Sequence, residues 1–201
     1  MATVTPNYSW PVPTSTDLVK DGATAIEALG DAIDATVNGL GVPGITLVKS
    51  QVIGTAVASV NVTAAFSTSY DVYKIVINGG SASANANLQL SLGGTTTGYY
   101  WGNQLRDYTG VSGNLQGSNT ANFTRVGYGT GNTLFLNADI LNPFLAKNTL
   151  INYQYVLPLT SGNQGDGNGF LNDSTSYTDF TITPLSGTLT GGTIYVYGYK
   201  K

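Results

Sequence analysis

From Ile45 onward the chain alternates apolar and polar residues with a period of two, and little besides antiparallel β structure accommodates that alternation. In ANLQLSL, Leu88, Leu90 and Leu92 fall on one face; in TLFLNADIL, Leu134, Leu136, Ala138 and Ile140 do the same. Similar runs are ITLVKSQVI, AVASVNVT, YDVYKIVI, GYYWGNQ, NFTRVGYG, LINYQYVL, TDFTIT and GTIYVYGY, which makes about ten strands. Turn signals separate them, among them Gly79-Gly80, Gly93-Gly94, Asn142-Pro143 and Gly191-Gly192. No exact internal repeat is present. Short strands punctuated in this way predict an antiparallel β-sandwich of jelly-roll type over residues 45–201.

The first forty residues obey a different rule. Residues 16–40 read as one amphipathic helix, with Thr14, Thr16 and Asp17 as candidate N-caps. Gly22, Ile26, Leu29, Ile33, Thr36 and Leu40 are spaced 4, 3, 4, 3, 4, a heptad seam with Ile26, Ile33 and Leu40 at one core position and Gly22, Leu29 and Thr36 at the other. Ile26, Leu29, Ile33 and Leu40 are the expected trimerisation residues of a coiled coil. A single helix of this length containing Gly22 and Gly30 is marginal in water and requires partners. The competing reading lays it across its own β domain. Residues 41–44, Gly-Val-Pro-Gly, form a Gly/Pro linker that argues for separation. Ahead of the helix, Pro6, Pro11 and Pro13 predict an extended arm over residues 1–15. Tyr8, Trp10, Pro11 and Pro13 are its candidate anchor to another protein.

Composition removes most catalytic chemistries. The chain has no His and no Cys, which excludes thiol nucleophiles, disulfides and the usual zinc sites. Gly-x-Ser-x-Gly and glycine-rich phosphate loops are absent, and the β part carries six Asp and no Glu, without a facing pair for glycoside hydrolysis. A non-enzymatic protein without cofactors is expected. The stretch NQGDGNGFLND is similar to an oxygen-rich calcium loop through Asp166 and Asn168. Aligned on Gly169, though, its first and last ligand positions hold Gln164 and Thr175, so a solvated turn is the stronger expectation.

Only 9% of residues are charged, so the surface must be built from Thr, Ser, Asn, Gln and Gly. Residues 1–40 carry Asp17, Asp21, Glu27, Asp31 and Asp34 against Lys20, and the remainder carries six acids against seven bases. Neither part suits nucleic acid. No apolar run has the length of a membrane span, and the opening residues lack the basic and apolar regions of a signal peptide. A chain of this kind is expected to reach the outside only as part of a particle.

Two aromatic clusters are candidate surfaces. In TIYVYGY, Tyr195, Tyr197 and Tyr199 share one face and form a candidate subunit contact. In GYYWGNQLRDY, Tyr99, Tyr100, Trp101, Asn103, Arg106 and Asp107 combine rings, amides and charges as a saccharide site would. The plainer reading has strand alternation sending Tyr100 inward, with Tyr99 and Trp101 packed on a neighbouring loop or subunit.

The opening Trp-Pro-x-Pro followed by TDLVKDGATAIEALGDAID resembles the N-terminal segment of tailed-bacteriophage fibre and minor structural proteins. YKIVING, LGGTTTGYYW and the closing TITPLSGTLTGGTIYVYGY resemble the β domain that ends such fibres. The resemblance implies a homotrimer of the virion, assembled in the host cytoplasm, its N-terminus fixed to another virion protein and its β domain outward. A tail fibre binding a host cell-surface saccharide is one implied role, and a capsid-attached head fibre or decoration protein is the other.

Overall fold

The computed structural model describes residues 3–12, 18–40 and 44–200, and the chain divides into two compact units, Met1–Gly44 and Ile45–Lys201. Pro13, the candidate N-caps and residues 41–43 of the expected linker lie outside the described residues.

The first unit contains a short hairpin and a helix. Strands β1 (Thr3–Val4) and β2 (Pro11–Val12) pair antiparallel, so the segment expected as an extended arm reverses on itself. Pro6 and Ser9 lie in the reversal, Ser9 with a left-handed φ of 55°, and the Thr5 and Trp10 backbones close it through Thr5 N–H to Trp10 O at 2.9 Å. Prolines that fix φ near the extended value serve a two-residue strand as well as an arm. Helix α1 (Gly22–Leu40) begins later than residue 16: Leu18 is extended and Val19–Asp21 form a single 3-10 turn with no side-chain cap. The Trp10 indole N–H donates to Thr36 Oγ1 at 2.9 Å, and the Thr36 hydroxyl donates on to Ala32 O at 2.8 Å. A position assigned to the heptad seam is therefore engaged by the hairpin of the same chain.

The second unit is built from β3 (Ile45–Val52), β4 (Val60–Val62), β5 (Val72–Asn78), β6 (Ser81–Ala82), β7 (Ala86–Leu92), β8 (Tyr99–Asp107) and β9 (Ser112–Thr120), followed by β10 (Phe123–Thr130), β11 (Thr133–Leu141), β12 (Thr149–Val156), β13 (Asn163–Leu171), β14 (Phe180–Pro184), β15 (Leu189–Thr190) and β16 (Thr193–Tyr199). Every pairing among them is antiparallel. Twelve strands form one hydrogen-bonded network, which β11 divides. Its first half, through Leu136, pairs with β10 in the order β4-β14-β7-β10. Its second half, from Asn137, pairs with β5 and β12 in the long sheet β3-β16-β5-β11-β12-β13-β8-β9.

The ten alternating runs all become strands. Alternation places Leu88, Leu90 and Leu92 of β7, Phe180 and Ile182 of β14, Ile75 of β5, Ile151 of β12 and Ile194 and Val196 of β16 in one buried core drawn from both parts of the network. Burying such side chains supplies about 1.5 to 3 kcal/mol each, the dominant favourable term. At one end of the β5–β16 pair, Gly79-Gly80 and Gly191-Gly192 pack back to back with positive φ, and a Cβ at Gly80 would collide with Gly191 O. That corner admits only glycine.

Two long strands were missed by the apolar pattern, β9 and β13. The segment expected as a solvated turn or calcium loop, NQGDGNGFL, is a nine-residue strand. Its inward positions are Gly165, Gly167 and Gly169, and glycine leaves no hydrophobic signature to alternate. Neighbouring groups occupy the space instead: a Cβ at Gly167 would meet the Tyr153 ring, and one at Gly165 would meet Gln104 O.

Candidate functional site

Strand pairing fixes which side chains share the outer face of the long sheet, because residues directly opposite in an antiparallel pair point the same way. One rank runs Tyr197, Lys74, Asp139, Asn152, Asn168, Gly102, Gln116 across seven strands. The next runs Tyr195, Val76, Asn137, Gln154, Asp166, Gln104, Asn114. Beyond the first lies an apolar rank, Val72, Leu141, Leu150, Phe170, Tyr100. Beyond the second lie Val156, Gln164, Arg106 and Ser112.

This face is grooved. A depression of about 730 Å³ is bounded by Gln104, Arg106, Asn114, Gln154, Gln164 and Asp166. A second of about 300 Å³ is bounded by Lys74, Asn137, Asp139, Asn152 and Asn168, and the two share Gln154 and Asp166. The inward glycines of β13 explain the relief: lacking side chains toward the core, the strand sits close over Tyr153 and the β8 backbone, and the outer surface follows it down.

Amides dominate the lining. Asn137 Nδ2 donates to Gln154 Oε1 at 2.7 Å, while Asn137 Oδ1, shielded from solvent, has no hydrogen-bond partner. Lys74 Nζ lies 3.5 Å from Asp139 Oδ1, and the Tyr199 hydroxyl donates to the same oxygen at 2.8 Å. Partial burial, and after it that carboxylate, raises the Tyr199 pKa above its ordinary value.

The expected saccharide cluster is taken apart by the β8 alternation. Tyr99 is fully buried, edge-on to Phe123 at 4.9 Å, and its hydroxyl accepts from the Leu92 N–H at 2.8 Å. Asn103 is buried too, accepting from the Tyr153 hydroxyl at 2.6 Å, with its Nδ2 unpartnered. Trp101 lies on the inward side, its indole N–H donating to Thr120 Oγ1 at 3.0 Å and its ring covering Gly117. Asp107 caps the β8–β9 turn, accepting from Thr109 and from the Val111 N–H, and the Thr109 hydroxyl is first among the donors that hold its carboxyl below the usual range. Only Tyr100 and Arg106 reach the grooved face. Tyr100 points outward, opposite to the parity assumed for it, and its ring stacks on Phe170 at 5.0 Å and 9°.

Asp166 and Asn168 stand on the same outward side of β13, separated from any acidic cluster; among the described residues no group of three or more His, Cys, Asp or Glu is placed to hold a metal. Tyr195 and Tyr197 are half-buried neighbours with centroids 6.3 Å apart, next to the exposed Ile45 and Leu47 of the edge strand β3. In the first unit Tyr8 stacks on Trp10 at 5.3 Å and remains 54% exposed, and Pro11 is paired with Val4. Along α1, Ile26 is 66% exposed, whereas Leu29 and Ile33 are half-buried; the Leu40 side chain lies outside the described residues. Among the described residues no helix is long and apolar enough to cross a membrane.

The groove itself escaped sequence reasoning, although a signal was present. G-x-G-x-G at period two in β13, flanked by Gln164, Asp166 and Asn168, marks a strand with an empty inner face and an amide outer face. Comparisons with protein-family models, with curated proteins and with solved structures found no match to the chain.

Proposed function

We propose that the chain is a non-enzymatic structural protein of a bacteriophage particle, a homotrimeric short fibre whose N-terminal unit assembles and anchors it and whose β unit, a jelly-roll-like sandwich, faces outward. The observation that carries this reading is the division of labour between the two units: a helix that leaves Ile26 and Val37 largely exposed, and a β unit whose core, among the described residues, is drawn from the β unit alone. Exposed apolar residues on a helix are covered when copies associate. Tyr8, half of a stacked pair and still exposed, supplies the side chain by which the hairpin docks on another virion protein.

An attachment role at the tail, to a host-surface saccharide, is favoured over capsid decoration by the grooved amide face, which mere decoration would not require. Light scattering on the purified chain is expected to give three times the chain mass, and antibody to the β unit is expected to label tail tips. A monomeric mass overturns the trimer, and label spread over the head selects the decoration reading.

A further inference from the structure

We propose that the outer groove of the long sheet binds an uncharged oligosaccharide, laid across β11, β12, β13 and β8. The proposal deepens the attachment reading and depends on it only for the origin of the sugar. Four observations converge on this ligand class.

First, the two depressions adjoin, sharing Gln154 and Asp166, and β9 beside the larger one is exposed over most of its length, so an extended chain can lie across both. Second, Gln104, Asn152 and Asn168 are spent on no side-chain hydrogen bond among the described residues. A primary amide offers acceptor and donors together, which matches a hydroxyl that must do both. Third, the ionic groups of the groove balance: Arg106 and Lys74 stand against Asp139 and Asp166, and Lys74 already faces Asp139 at 3.5 Å. A polyanion would find no net field there. Fourth, the apolar rank next to Asn168 carries Phe170, 38% exposed and backed by Tyr100, a ring face for the C–H side of a sugar. A protein partner would instead require aromatic anchors at the centre of the patch with amides at its rim, and this arrangement is the reverse.

The test uses the full chain on a printed array of neutral and acidic bacterial oligosaccharides, followed by titration of isotope-labelled protein with the strongest neutral ligand. Binding of neutral sugars with dissociation constants of about 1 mM is expected. The double variant Gln104→Ala and Asn152→Ala, both exposed positions, should weaken it about tenfold or more without moving the thermal midpoint. Arg106→Ala provides a second variant should the first fail to fold. Absence of neutral binding, binding of acidic sugars alone, or binding unchanged in the folded variants overturns the site. If the variants lose sugar binding while particles carrying them still adsorb normally, the site stands and the attachment reading falls. If adsorption is lost although the chain binds no sugar, the groove recognises a protein and the saccharide proposal is overturned.

Discussion

A methyl group at Gly167 would meet the Tyr153 ring, whose hydroxyl donates to buried Asn103 Oδ1 at 2.6 Å. Gly167→Ala must displace that ring and loosen the bond, so it should cost about 1 to 3 kcal/mol, read as a lowered urea midpoint. Tyr153→Phe removes the donor and leaves Asn103 with neither end of its amide satisfied, at a cost of about 1 to 3 kcal/mol. Tyrosine burial also sets the alkaline limit. Desolvation pushes Tyr99 and Tyr155 up to about 12, and it raises Tyr153 as well. A folded-state pKa above the unfolded value of about 10 means that the folded protein holds these protons more tightly. Their contribution is complete below pH about 10 and is lost as pH rises through about 12. Thermal midpoints should therefore be insensitive to tyrosine ionisation at neutral pH and collapse between those values; a midpoint that holds to pH about 12 and beyond would show that the rings ionise without unfolding. On the acid side, the Tyr177 hydroxyl leads the donors that depress Asp173, so that contribution is present above the ordinary carboxylate range and fades as pH falls below it.

At the scale of elements, strands with apolar inward faces were legible and strands with glycine inward faces were not. Leu88, Leu90 and Leu92 declare β7 because each removes apolar area from water, whereas Gly165, Gly167 and Gly169 serve β13 by removing nothing and admitting Tyr153. The same blindness split the candidate saccharide site. Alternation along β8 was recognisable, but its phase depends on which neighbour is buried, and with aromatics at Tyr99, Tyr100 and Trp101 in succession the sequence does not declare it. The helix was legible from its heptad, while the hairpin that reaches Thr36 was not, since a bond from Trp10 across 26 residues leaves no local trace. The seam still makes a definite prediction. Ile33→Asp places a charge among half-buried apolar positions, which should convert trimers to monomers in light scattering while the melting of the β unit stays where it was. Trimers that survive the substitution would move the subunit contact off the helix.

At the scale of the whole molecule, the main core lies between Ile53 and Val196, and among the described residues none of α1 belongs to it. A fragment spanning residues 45–201 should therefore fold with the thermal midpoint of the intact β unit, because removing residues 1–44 takes away none of its buried side chains. Its mass is the informative quantity. Strand β3 is a sheet edge that presents Ile45 at 46%, Leu47 at 52% and Val52 at 65% exposure, and Tyr197 and Tyr199 stand opposite Leu47 and Ile45 on the outer face. Exposed apolar edges invite pairing, so this strip is a second surface on which subunits can meet. From the tyrosine strand to β8 is five strand spacings, about 24 Å, enough for contact at one end and an open groove at the other. If the helix is the assembly device, the fragment is a folded monomer. If the fragment remains trimeric, and Leu47→Lys dissolves it, assembly belongs to the β3–β16 edge and the helix serves only to anchor.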